Sequence, residues 1–151
     1  MAVLAWGKPK IEHGPSTAGA AATVWTAFDT PKEDSTELVT TPGDKIEAKE
    51  EGGDVVDARY KASSYELSFE LFVKKGGTRP FTDINGVIAG DHSVRLTPED
   101  EEAEGFVMDC CTVSVADSFK TADGKMLKYT FTGKKPASGN ICKPYVADDG
   151  E

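Results

Sequence analysis

ASSYELSFELFVK, residues 62–74, alternates with a period of two. Tyr65, Leu67, Phe69, Leu71 and Val73 fall on one side of an extended chain. Ser64, Glu66, Ser68, Glu70 and Lys74 fall on the other, and only Phe72 breaks the pattern. A strand with one buried and one wet face needs this period. Fully extended, the stretch would reach about 44 Å, whereas most strands stop after about five or six residues. Such a strand suits a sheet wall better than a compact catalytic pocket.

Two more alternating segments follow. In Phe106–Ala116, Phe106, Met108 and Cys110 share one parity, and Cys111, Val113 and Val115 share the other. A slip at Cys110–Cys111 that swaps faces without ending the strand reads as a β-bulge. After the Asp123–Gly124 turn, Met126–Thr132 points Leu127, Tyr129 and Phe131 inward. The expected core face therefore joins Tyr65, Leu67, Phe69, Leu71 and Val73 to Val113, Val115, Tyr129 and Phe131.

Shorter elements flank these strands. Residues 7–13, GKPKIEH, read as an extended arm that Pro9 restricts to an edge, and the small residues of 14–23 read as a loop. Val24–Phe28 is apolar enough to dock on the core. Ser35–Thr41 is a strand candidate closed by Pro42–Gly43, and Asp44–Glu50 is expected to pair with it, Ile46 and Ala48 inward. Gly52–Gly53 breaks the chain again before Val55–Lys61. Asp91–Leu96 returns to strand. Thr97–Pro98–Glu99–Asp100–Glu101–Glu102 then has a cap, a first-turn proline and acids at the positive end, so a short helix is expected before Gly105. The expected architecture is a mainly β, antiparallel barrel or sandwich with one short flanking helix. One domain covers 1–136: 1–34 is an N-terminal arm and loop, and 75–90 (KGGTRPFTDINGVIAG) is a long connection rich in turn signals. Residues 137–151, with prolines and the acidic end at Asp148–Asp149, are expected to form a loosely held tail.

The 151 residues fit a single domain with a real core. Asp and Glu number 26 against 17 Lys and Arg, a net charge of −9, which argues against a simple nucleic-acid binder and reads most simply as a solvated acidic surface. The odd, sparse set Cys110, Cys111 and Cys142 reads as reduced buried thiols in a reducing compartment. The start, MAVLAWGKPK, is too short in apolar residues for a signal peptide, and no run approaches the ~20 residues of a membrane span.

Signs of catalysis or cofactor use are weak. His13 and His92 lie far apart without a ligand pattern, and no HExxH, paired CxxC, GxSxG or phosphate loop occurs. Asp83-Ile84-Asn85-Gly86 resembles the start of a calcium loop, but its glycine comes too early, and a turn is the better reading. The acids sit in charge runs or at outward strand positions and do not form a glycosidase-like pair in a cleft. The sequence reads as non-enzymatic, with no cofactor and no metal.

The order of elements resembles the tail tube (major tail) proteins of bacteriophages and prophages, related to the tube proteins of type VI secretion. The likeness rests on WGKPKIE, TTPGDKIEA running into EEGG, YELSFEL, the D-x-N-G-V-x-A-G loop, SVRLTPED and YTFTGKKP, and spans most of Trp6–Pro136. The resemblance implies a virion structural protein, made in the bacterial cytoplasm, that self-assembles into stacked hexameric rings around a DNA channel. Its partners would be copies of itself, with tape measure, sheath or terminator proteins beside it, no membrane, and DNA passing without specific binding. Glu66, Glu70 and Glu47 become candidate lumen- or solvent-facing acids. Gly76, Gly77, Arg79, Phe81, Asn85 and Gly86 become candidate members of an inter-ring loop. The alternative from a different class is a monomeric β-sandwich that binds a ligand such as carbohydrate through exposed aromatics; Trp6, Trp25 and Phe81 are candidates, though they read better as core or docking residues.

Overall fold

In the computed structural model, residues 4–146 are described; Asp148 and Asp149 lie outside them. Ten strands run in chain order: β1 (Lys10–Pro15), β2 (Thr26–Ala27), β3 (Glu37–Thr41), β4 (Lys45–Lys49), β5 (Val55–Tyr60), β6 (Ser64–Phe72), β7 (His92–Thr97), β8 (Gly105–Lys120), β9 (Gly124–Gly133) and β10 (Cys142–Tyr145). The main sheet is antiparallel in the order β2-β1-β7-β8-β9-β6-β3, with β10 also on β8; β4 and β5 form a separate two-stranded sheet. Its ends, β2 and β3, do not pair with each other, so the sheet is sandwich-like and not a closed barrel. The chain between them crosses the opening: the Phe28 amide donates to Ile11 O on β1, and the Lys32 amide to Glu70 O on β6.

The alternation in β6 places the core. Leu67, Phe69 and Leu71 are buried, Phe72 points to the wet face, and Tyr65 is half-buried. Val73, expected inward, is 42% exposed because it lies past the strand's last buried residue, Leu71. The inward set continues through Val113, Val115, Leu127, Tyr129 and Phe131, and is closed by Ile11, Val94 and Met108. Phe28 caps it, its ring 5.0 Å from Phe69 and 5.9 Å from Tyr129.

The longest strand is β8, at 16 residues, because it serves neighbours in two halves: β7 along 106–111 and β9 along 111–120. His92 pairs Cys111 and Val94 pairs Met108, so β8 carries one extra residue at Asp109–Cys110. That bulge lets Met108 and Cys111, of opposite parity, both enter the core.

Three expectations are corrected. Among the described residues there is no helix: β7 runs to Thr97, β8 starts at Gly105, and 98–104 only turns between them. So short a link cannot repay helix nucleation, and the Asp100 carboxylate accepts the Glu102 amide in a local turn instead. Second, β4 pairs with β5 and not with β3. Thr41 opposite Ser64 and Lys45 opposite Tyr60 keep one register, so β4–β5 continues the β3–β6 ribbon past a kink at Pro42–Gly43. Gly43 is required there, because a Cβ would meet Lys61 O at 1.9 Å. Third, the expected tail is held over 142–145, where β10 pairs with β8 on the edge opposite β7, the edge that β9 takes further along. The stretch read as an N-terminal arm likewise supplies β1, between β2 and β7.

Candidate functional site

Beyond the kink the β4–β5 hairpin leaves the body. Every residue of both strands is exposed. Cross-strand pairing sorts its side chains into two faces. One carries Ile46, Ala48, Asp57 and Arg59; the other carries Tyr60, Ala58 and the Lys45–Glu47–Lys49 row. In that row Glu47 sits 2.9 Å from Lys45 Nζ and 3.8 Å from Lys49 Nζ. Val55, Val56 and Tyr60 are 51%, 62% and 70% exposed. At the tip, Gly52 and Gly53 both adopt φ of +97°, which reverses the chain with open space around them.

The three candidate acids are not brought together. Glu47 is on the hairpin, whereas Glu66 and Glu70 lie on the wet face of the main sheet. Glu66 stands opposite Thr132 and Val39, and Glu70 opposite Lys128, with Lys32 Nζ 3.9 Å from its carboxylate.

The candidate loop 75–90 is divided by its own chemistry. Gly76 and Gly77 form an exposed turn closed by the Gly77 amide on Lys74 O. Arg79 spans Asp83 and Asp117 at 3.6 and 4.0 Å. Phe81 turns inward, its ring 4.6 Å from His13, 4.8 Å from His92 and 5.8 Å from Tyr129. Asn85 and Gly86, both at positive φ, make a tight turn that lies against β8, where Val115 donates its amide to Gly86 O. Deleting 76–86 would therefore uncover the core and is not a neutral loop shortening.

Of the candidate aromatics, Trp25 lies under the Arg95 guanidinium at 4.3 Å, while Trp6 is 69% exposed. Trp6, Lys8, Pro31, Lys32 and Pro98 line an open groove of about 710 Å³. Burial, reinforced by His92, lowers the His13 pKa to about 4. Burial raises all three thiols, Cys111 most, and no disulfide links them. Among the described residues no group of three His, Cys, Asp or Glu side chains could hold a metal ion.

Sequence reasoning missed the hairpin as a feature in its own right. The usable signal was Val55–Val56 and Tyr60 beyond a Gly-Gly tip, in strands whose two faces both mix apolar and charged residues. It also missed the meeting of His13 and His92, which strand pairing creates and spacing cannot reveal. No protein-family model matches the chain, and no curated protein matches it in sequence.

Proposed function

We propose that the chain is a structural subunit that self-assembles into stacked hexameric rings of a phage-type tail tube, a conduit through which DNA passes without specific binding. The observation that carries this reading is the projecting hairpin, exposed on both faces with Ile46, Val55, Val56 and Tyr60 in water. An isolated two-stranded hairpin is marginal in water and needs a further surface to pack on. Apolar side chains left in water on both faces of so small a projecting element fit a protein contact site. The acidic balance, −9 per copy, fits a conduit that repels a polyanion. No catalysis is assigned.

The test replaces 42–63 with Asn-Gly, a two-residue turn suited to joining Thr41 and Ser64, which already face each other across β3 and β6. The body should keep its cooperative melt while rings or tubes, seen by negative-stain microscopy of concentrated wild type, disappear. Tubes from the hairpin-less variant, or none from wild type across salt and concentration, would sink the reading.

A second reading, a sandwich that binds carbohydrate, draws on Trp6 beside the open groove. Its signature would be an oligosaccharide-induced change in tryptophan fluorescence that Trp6→Ala removes.

A further inference from the structure

We infer that the tip of the β8–β9 hairpin, with Phe119 as its knob, docks head-to-tail into a groove at the opposite end of a second copy of the chain. The inference rests on the assembly reading and names the surfaces that meet from one ring to the next.

Both surfaces belong to β8. Glu104 precedes its first residue and Lys120 is its last, sixteen residues on, a span of about 50 Å if fully extended. Knob and groove therefore cannot meet within one copy.

At the far end, Phe119 lies on the same side of β8 as buried Val113 and Val115, yet it is 68% exposed. It stands opposite Lys125, whose carbonyl accepts the Val73 amide. Val73, Lys125 and Phe119 thus form the last row of the sheet, one row past buried Leu71 and Leu127. Nothing in the same copy covers the Phe119 ring. At the near end, Leu38, Leu96, Pro98, Glu104, Phe106 and Pro144 line an open groove of about 390 Å³. Leu38, Leu96 and Phe106 pack against the core from below, so the floor of the groove is apolar. An aromatic anchor on one copy meets an apolar recess on the next.

Charge fixes the direction. Around the tip, Arg79, Lys125 and Lys32 already engage Asp83, Asp117, Glu70 and Asp123. Lys74, Lys75 and Lys120 are exposed and have no carboxylate partner among the described residues. Beside the groove, the link 99–104 carries five carboxylates and no cation: Glu99, Asp100, Glu101, Glu102 and Glu104. Two of them accept backbone amides, Glu99 from Lys8 and Asp100 from Glu102, and none has an ion-pair partner among the described residues. Tip against tip, or groove against groove, like charges repel; tip against groove, they attract. A contact between unlike surfaces at opposite ends of a molecule does not close on itself and continues along an axis.

The test follows assembly by sedimentation and negative-stain microscopy. Wild-type tubes should need at least about tenfold more protein in ~500 mM than in ~50 mM NaCl, because salt screens the contact. Lys74→Glu/Lys75→Glu/Lys120→Glu makes both ends acidic, and Glu101→Lys/Glu102→Lys/Glu104→Lys makes both basic. Each variant alone should give rings without tubes, and an equal mixture should regain tubes by alternation, which also shows that both are folded. Phe119→Ser should keep the wild-type melt and rings and lose tubes. Tubes from either charge variant alone, none from the mixture, undiminished tubes in Phe119→Ser, or wild-type particles that stop at two rings would each overturn the docking and leave the assembly reading in place. Wild type that forms neither rings nor tubes would overturn both.

Discussion

Phe69 and Phe72 lie three residues apart on β6 and face opposite ways, which makes them a paired test of the fold. Phe69 is fully buried, stacked at 16° on Phe131 with centroids 6.0 Å apart, and edge-on to Phe28 at 5.0 Å. Phe72 is 40% exposed on the wet face, opposite Met126. Truncating a buried Phe to Ala costs about 3–5 kcal/mol through lost transfer energy and the cavity left behind. The two aromatic pairs place Phe69→Ala in the upper half of that range, since each such pair is worth ~0.5–1.5 kcal/mol beyond its area. A domain of this size has about 5–15 kcal/mol in hand, so the variant should fold but lose much of its margin. At roughly 2–4 °C per kcal/mol its melting temperature should drop by about 8–20 °C. Phe72→Ala should stay within about 1 kcal/mol of wild type. Urea denaturation of both variants, checked for an unchanged m-value, gives the comparison. Equal losses, or a larger one for Phe72→Ala, would mean that the two faces of β6 have been exchanged and the aromatic core misplaced.

Two further outcomes follow from single sites. Gly43→Ala should force the ribbon apart at the kink, since the new methyl would sit 1.9 Å from Lys61 O and 2.6 Å from Ala62 O; the Lys61 amide, which donates to Asp44 O, should then exchange at least about tenfold faster. Unchanged Lys61 exchange would show that the kink has room to spare. Thiol reagents at pH 8 should modify half-buried Cys142 first and reach Cys111 only on unfolding, because burial holds the Cys111 thiol firmly protonated; native modification of Cys111 at the Cys142 rate would contradict that burial.

The sheet was legible where alternation was strong and supported by neighbours. Leu67, Phe69 and Leu71, and Leu127, Tyr129 and Phe131, could be assigned a face from parity alone, because a one-residue slip would have put all of them in water. The bulge in β8 was visible because Met108 and Cys111 could not otherwise share a side. Pairing was less legible. Asp44–Glu50 alternates well enough to lie beside β3, yet Gly43 sends it outward, and only the backbone of Lys61 reveals why. The helix signals at 97–102 were genuine local preferences, overridden because β7 and β8 pair almost up to the link between them. Phe81 lay in a loop by its neighbours Pro80 and Thr82, although its ring read as a core or docking group, which its packing against the core bears out. Its destination depended on His13 and Tyr129, which no local window contains.

The body and the hairpin draw on different sources of order. In the body, nine-residue β6 and ten-residue β9 bury aromatic rings against each other and against Phe28. The hairpin has only its own ladder, cross-strand pairs worth ~0.2–1 kcal/mol each and exposed Glu47 ion pairs worth no more. Against these stands ~1–2 kcal/mol of backbone entropy for each residue ordered. The shared register with β3–β6 aligns the hairpin at its base but adds nothing at its tip. Ile46, Val55, Val56 and Tyr60 can therefore contribute fully only when another surface covers them. A partner that does so supplies both the missing burial and the ordering of the hairpin. That coupling is why removal of the hairpin should cost the body little and assembly a great deal.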